Sequence, residues 1–166
     1  IIADESTSML DVSIRISVLE MLGRLRDDLN VGFLFITHDL AIAKYFGWHG
    51  KTAVMYLGRI VEFGPTPQII NSPTHPYTRA LIDAIPEPDP DLTKTKGARG
   101  LRSMEIPSLA HLPSGCTFHP RCPLFEEGLC DGVVPELAEV RPGQSTACHV
   151  VARDGVEALQ RDEPVA

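Results

Sequence analysis

No apolar run in this 166-residue chain reaches the roughly 18–20 residues that a membrane-spanning helix requires. The chain does not open on a basic stretch followed by an apolar one, so no secretory leader is expected. Basic charge is scarce: 15 Lys and Arg stand against 22 Asp and Glu, for a net charge of −7. That balance argues against nonspecific nucleic-acid binding, which depends on cations neutralising phosphates. Four cysteines are too few for a disulfide scaffold of this length, yet enough for one four-ligand metal site. A phosphate-cradling loop, Gly-x-x-x-x-Gly-Lys-Ser/Thr, is also missing, because Gly50-Lys51 has Tyr45 where the first glycine is needed. No Gly-Gly pair occurs anywhere. The rest of the composition, 43% hydrophobic and 22% charged, is that of an ordinary globular protein.

What is present divides into zones. The chain begins at Ile1 rather than Met, inside an apolar run that resembles a strand cut part-way. A C-terminal piece of a longer protein is therefore expected. Ile1 to Ala3 reads as the end of a buried strand. Asp11 is placed to cap a helix over 12–29, with Val18, Leu22, Leu25 and Leu29 as its apolar stripe and Asn30 and Gly32 as its stop. Residues 32–37 read as a strand buried on both faces, and 39–46 as a short helix. Strands at 52–57 and 60–63 should form a hairpin turning at Gly58-Arg59, at the edge of the same sheet. This order predicts an α/β layer fold with a parallel sheet. Thr66 is placed to cap a short helix starting at Pro67, and Pro76 to start a second helix through Ile85. Residues 86–103 form a linker carrying Lys94, Lys96, Arg99 and Arg102, read as a solvated run. Residues 104–150 hold every cysteine and little apolar material, so a staple is expected there. Residues 151–166 read as a polar tail.

Two short segments carry chemistry. Ile1-Ile2-Ala3-Asp4-Glu5 is a strand ending in adjacent carboxylates, and Phe33 to Asp39 is a second strand ending in His38. In an open α/β sheet, ligands bind beyond the carboxyl ends of the strands, so these groups should share one edge. Two acids there can divide labour, one on Mg²⁺ and one on a water; an imidazole can bond a phosphate oxygen.

Ile1-Ile2-Ala3-Asp4-Glu5-Ser6-Thr7-Ser8-Met9-Leu10-Asp11 resembles the Walker B strand and D-loop of ABC-transporter ATPases, and Phe35-Ile36-Thr37-His38-Asp39-Leu40 resembles their switch-histidine loop. Ala53 to Glu62, His75-Pro76-Tyr77-Thr78-Arg79-Ala80-Leu81, and Gly115-Cys116-Thr117-Phe118-His119-Pro120-Arg121-Cys122-Pro123 are similar to the oligopeptide/dipeptide-importer branch. The resemblance spans residues 1–149. It implies the C-terminal part of an ABC-type P-loop ATPase sheet domain over 1–88, a linker over 89–103, a Cys-rich extension over 104–150 and the tail over 151–166. It implies catalytic roles for Glu5, which would position the attacking water, and His38, which would meet the γ-phosphate. Asp4 would bind Mg²⁺ through water, and Ser8 and Asp11, grouped with it as cofactor-binding, would sit in the D-loop, which meets the partner subunit. Ser6 replaces the family's usual proline and Met9 its usual small residue; neither is an inferred catalytic residue, and Met9 puts the dimer contact in doubt. The segment Phe46 to Gly50 is about two residues longer than usual.

The implied protein is the ATP-hydrolysing subunit of an importer for oligopeptides, dipeptides or nickel. Its partners would be a second ATPase subunit, inner-membrane permease subunits and, indirectly, an extracytoplasmic substrate-binding protein, with no nucleic acid. It would be peripheral on the cytoplasmic face of the membrane. ATP and Mg²⁺ are the implied ligands, and this stretch alone should be inactive. Cys116, Cys122, Cys130 and Cys148, with five, seven and seventeen residues between them, leave three readings. A [4Fe–4S] cluster tolerates irregular gaps and is the one the resemblance favours; Arg121 and His119 could hydrogen-bond it. Zn²⁺, with His119 or His149 as substitutes, prefers closer pairs. Disulfides are disfavoured in a cytosolic ATPase, and unligated cysteines are the remaining possibility. The competing function is a stand-alone iron–sulfur or zinc module that retains part of an ATPase fold.

Overall fold

Asp11 is extended (φ −62°, ψ 161°), and its carboxylate accepts from the backbone N–H groups of Ser13 and Ile14, both at 3.0 Å. This cap starts helix α1, Val12–Leu29, and left-handed Asn30 (φ 50°) ends it. The computed structural model describes residues 1–85 and 100–162, with side chains through 160. The basic run at Lys94, Lys96 and Arg99 and the end of the tail lie outside the described residues. Contacts group the chain into two compact units, 1–50 and 51–166.

In the first unit, strand β1 (Ile2–Asp4) pairs in parallel with β2 (Leu34–Ile36), matching Ala3 with Phe35 and Asp4 with Ile36. Helix α2, Leu40–Gly47, is capped by the Asp39 carboxylate, which accepts from Ala41 and Ile42 N–H. The core consists of Leu19, Ile42 and Phe46, with Leu22, Phe33 and Phe35 around it. The inward face of α1 is rotated by one residue from the expected stripe. Leu19 is buried, whereas Leu25 and Leu29 are exposed. The rotated face runs Arg15, Leu19, Leu22, Arg26, and Arg26 lies over the Phe46 ring while donating to the Phe46 carbonyl at 3.1 Å. An apolar-only pattern passes over two arginines whose stems and planes are packed. The strands are not buried on both faces either: Ile2, Leu34 and Ile36 are exposed, because this sheet has two strands among the described residues.

The second unit opens with the hairpin β3 (Lys51–Tyr56) and β4 (Arg59–Pro65). Leu57 and Gly58 both take positive φ (45° and 79°), the backbone of a tight two-residue hairpin turn, one residue earlier than expected. The hairpin does not edge the parallel pair. It belongs to an antiparallel sheet of order β3-β4-β6-β5, with β5 at Ala138–Arg141 and β6 at Gln144–Thr146. β4 takes β6 as its neighbour, Glu62 opposite Thr146. Composition divides the chain near 88 and 104; this pairing instead joins both sides of that linker in one unit. Helices α3 (Thr66–Asn71), α4 (Pro76–Asp83) and α5 (His149–Asp154) and a 3₁₀ segment, Val156–Asp162, complete it. Thr66 does not cap α3; it is the first helical residue, and its hydroxyl bonds that of Thr52 at 2.8 Å. The expected polar tail is core: Val151, Ala158 and Leu159 are buried beside Val54, Ile69 and Phe118.

Glu62 is fully buried. Its carboxylate accepts from Thr74 N–H (2.6 Å), the Thr74 hydroxyl (2.8 Å), His75 N–H (3.1 Å) and the Gln144 amide (2.8 Å). A buried carboxylate is tolerated when such donors replace water. Here they tie β4, the start of α4 and β6 together.

Candidate functional site

Parallel pairing brings the carboxyl ends of β1 and β2 to one edge, as the strand-end rule anticipates. Glu5 N–H continues the ladder to the Ile36 carbonyl at 3.0 Å. Beyond it, His38 Nδ1 lies 2.9 Å from Glu5 Oε1. An ionised carboxylate can only accept, so Nδ1 carries the proton and Nε2 is left to face a ligand. Both side chains are at least half exposed, and Asp4 is exposed beside them. Glu5 itself is left-handed (φ 42°), a strained conformation for a residue with a Cβ. It lets the chain leave β1 and turn at once: Ser8 N–H and hydroxyl both donate to the Glu5 carbonyl, at 3.1 and 2.8 Å. Ser8 and Asp11 thus spend their oxygens inside the loop, on the Glu5 carbonyl and the α1 cap. Met9 is almost fully exposed.

The four cysteines are unbridged; Cys122, Cys130 and Cys148 are buried and Cys116 partly so. Burial raises the thiol pKa of Cys116 and Cys122, and raises Cys148 to about 11. Neighbouring thiols push the same way: Cys130 on Cys116; Cys148, Cys116 and Cys130 on Cys122; Cys116 and Cys130 on Cys148. The quartet therefore shares one neighbourhood. Cys116 N–H donates to the Cys130 carbonyl at 2.8 Å, and Cys130 Sγ accepts from Glu126 N–H at 3.5 Å. Among the described residues, no group of three or more His, Cys, Asp or Glu is gathered closely enough to hold a metal ion. A tetrahedral zinc–thiolate cage, with Zn–S near 2.3 Å, needs sulfurs about 3.8 Å apart, so the zinc reading loses its geometry. A four-iron cube likewise needs unprotonated sulfurs, whereas burial favours the protonated thiols of Cys116, Cys122 and Cys148, so the described geometry favours neither metal reading. Each substitute histidine has one ring nitrogen engaged, His119 Nδ1 with the Cys116 carbonyl (3.0 Å) and His149 Nε2 with the Val133 carbonyl (2.9 Å), and these bonds do not commit the other nitrogen. Arg121 lies toward the Phe118 ring and the Ser103 carbonyl.

Residues 61–130 match the family described as the oligopeptide/dipeptide transporter C-terminal region. Over 152 residues, 92% of this chain, 45% are identical to the Sinorhizobium fredii protein named "Probable peptide ABC transporter ATP-binding protein y4tS", covering 41% of that relative. The oligopeptide transport ATP-binding protein OppF of Escherichia coli is 44% identical over 142 residues, 86% of this chain and 39% of OppF. Over most of its length the chain is similar to the ATP-binding proteins of peptide ABC transporters. It spans less than half the length of the relatives it matches.

The matched region begins at Val61, one residue before the Glu62 anchor, and runs through His75-Pro76-Tyr77 to Cys130. His75 Nδ1 accepts from Tyr77 N–H and caps α4, and the Tyr56, Tyr77 and Phe118 rings pack with centroids 4.6–5.5 Å apart. Sequence reasoning quoted these motifs without seeing that one core joins them. It also missed Arg15, whose signal was its place on the 15-19-22-26 face of α1. No described helix is long and apolar enough to cross a membrane.

Proposed function

We propose that the chain supplies the hydrolytic half of an ATPase that drives peptide import. Residues 1–88 would be the end of its P-loop sheet domain and 104–150 a Cys-rich extension, at the cytoplasmic face of the membrane beside permease subunits and a second ATPase subunit. The observation that carries the reading is the Glu5–His38 pair at the carboxyl edge of a parallel strand pair, in a chain similar to peptide-transporter ATP-binding proteins.

Phosphoryl transfer to water is catalysed by positioning and charge neutralisation. Glu5 orients the water and accepts its proton as the water oxygen attacks the γ-phosphorus. The bond to the bridging oxygen breaks, releasing ADP and phosphate, and the proton passes to solvent. His38 Nε2 contacts a γ-phosphate oxygen, and its Nδ1–H keeps Glu5 aimed. Mg²⁺, held on Asp4 through water, would neutralise phosphate charge. The sequence contains no phosphate cradle, so these 166 residues alone should bind ATP poorly.

The same reading assigns a [4Fe–4S] cluster to Cys116, Cys122, Cys130 and Cys148. It would add the metal–thiolate bonds that a loop-rich segment needs. The relatives' names favour peptides over nickel as cargo.

The test is ATP hydrolysis by the intact subunit with its permease partners in vesicles. Peptide presented by the binding protein should raise turnover several-fold, and a nickel salt should not. Turnover indifferent to peptide would remove the transport assignment.

A further inference from the structure

Arg15 sits on the inward face of α1, a quarter exposed, where an apolar residue would serve packing better. Its guanidinium reaches two loops at once. Nη2 donates to the Leu10 carbonyl at 3.0 Å and to the Ser8 carbonyl at 3.5 Å, and Nη1 pairs with Asp39 Oδ2 at 3.5 Å. The first loop begins at Glu5 and the second follows His38. Asp39 is itself fixed: Oδ1 caps α2, and its N–H donates to the Thr37 hydroxyl at 3.0 Å.

These contacts close a ring. On one side, His38 Nδ1 meets Glu5 Oε1 directly. On the other, the Glu5 carbonyl holds Ser8, the Ser8 carbonyl takes Arg15, and Arg15 holds the residue next to His38. We infer that Arg15 is a positioning residue, whose fork fixes the Glu5 and His38 loops against each other. This rests on the ATPase reading above. A left-handed Glu5 persists only where its surroundings over-determine it, and the ring does so. Lysine could not substitute, because a single ammonium cannot present two nitrogens to two loops in fixed geometry. The two 3.5 Å contacts are long, as contacts in unliganded sites often are before they tighten. Arg15 touches no reacting atom in this account, so its loss should act on turnover rather than on nucleotide affinity.

The test is steady-state ATP hydrolysis by the intact subunit carrying Arg15→Met, Arg15→Lys or Asp39→Asn, with Glu5→Gln run alongside. Arg15→Met should lower kcat about tenfold and leave KM for ATP within about twofold, because misplacing a catalytic group by a fraction of an ångström costs turnover. Arg15→Lys should recover less than half of that loss. Asp39→Asn keeps the α2 cap but not the charge; it should reproduce the kcat loss alone and add little to Arg15→Met, as members of one network do. Wild-type kcat in Arg15→Met, or a loss matched by KM, overturns the inference. If Arg15→Met does not fold, wild-type kcat in Asp39→Asn overturns it equally. Undiminished turnover in Glu5→Gln would instead sink the ATPase reading. Lost turnover there, with none lost in the Arg15 and Asp39 variants, sinks only the positioning role.

Discussion

His75 is 1% exposed, and burial lowers its pKa to about 3, opposed by a hydrogen bond to the Ala147 backbone. The ring is therefore neutral in the fold: Nδ1 has already accepted the Tyr77 N–H and cannot also carry a proton. An unfolded histidine titrates near 6.5, so below that pH the unfolded chain takes up a proton the folded chain refuses. Stability is full above about pH 6.5 and falls as pH drops toward 3, by about 1.4 kcal/mol per pH unit from this group. Urea unfolding of the 51–162 unit between pH 7 and 5 should show that loss. His75→Asn, which keeps an N-cap acceptor without a titrating ring, should flatten it. An unchanged slope in His75→Asn would assign the acid sensitivity elsewhere. At this scale the sequence shows which residues are unusual, but not always why. Glu5 and His38 stood out because two strands ended in polar groups. Glu62 did not, since a lone acid in an apolar strand looks like a surface residue until Thr74, His75 and Gln144, 12 to 82 positions away, supply its donors.

Elements whose signals are local were legible, and those whose signals are distant were not. Asp11 and Asn30 mark both ends of α1 within one turn each, and Asp39 marks α2. The burial of β1 and β2, the partner of the β3–β4 hairpin and the fate of residues 151–160 all depend on segments far along the chain. The cysteine-bearing loop shows how closely such segments approach. Gly115 is left-handed (φ 61°), and a Cβ there would stand 2.5 Å from the Cys130 carbonyl oxygen and 2.8 Å from the Asp131 carbonyl carbon, both backbone atoms. Gly128 is left-handed too (φ 78°), but a Cβ there meets open space. Alanine at Gly128 should cost the strain alone, about 1–2 kcal/mol. Alanine at Gly115 should cost more, because backbone must move and the Cys116–Cys130 contact moves with it. Denaturant midpoints are the measurement: Gly115→Ala should lower the midpoint further than Gly128→Ala does. Equal effects would mean that the close approach does not shape the thiol site.

For the whole molecule, the mix of helices and strands and the meeting of Glu5 and His38 at one strand edge were readable because both rest on short-range order: strand, helix, strand, each with its own cap. The grouping into 1–50 and 51–166 was not, because β4 and β6 meet across more than 75 positions and leave no mark on either segment's composition. The central claim is that Glu5 activates water for ATP hydrolysis, and Glu5→Gln in the intact subunit tests it most directly. The amide keeps the shape and can still bond His38, but it cannot take the water's proton. Single-turnover measurement should find ATP bound as tightly as in the wild type and hydrolysed about 10²–10⁴-fold more slowly, the range for a positioned acid–base group. Hydrolysis at the wild-type rate by Glu5→Gln would contradict the account.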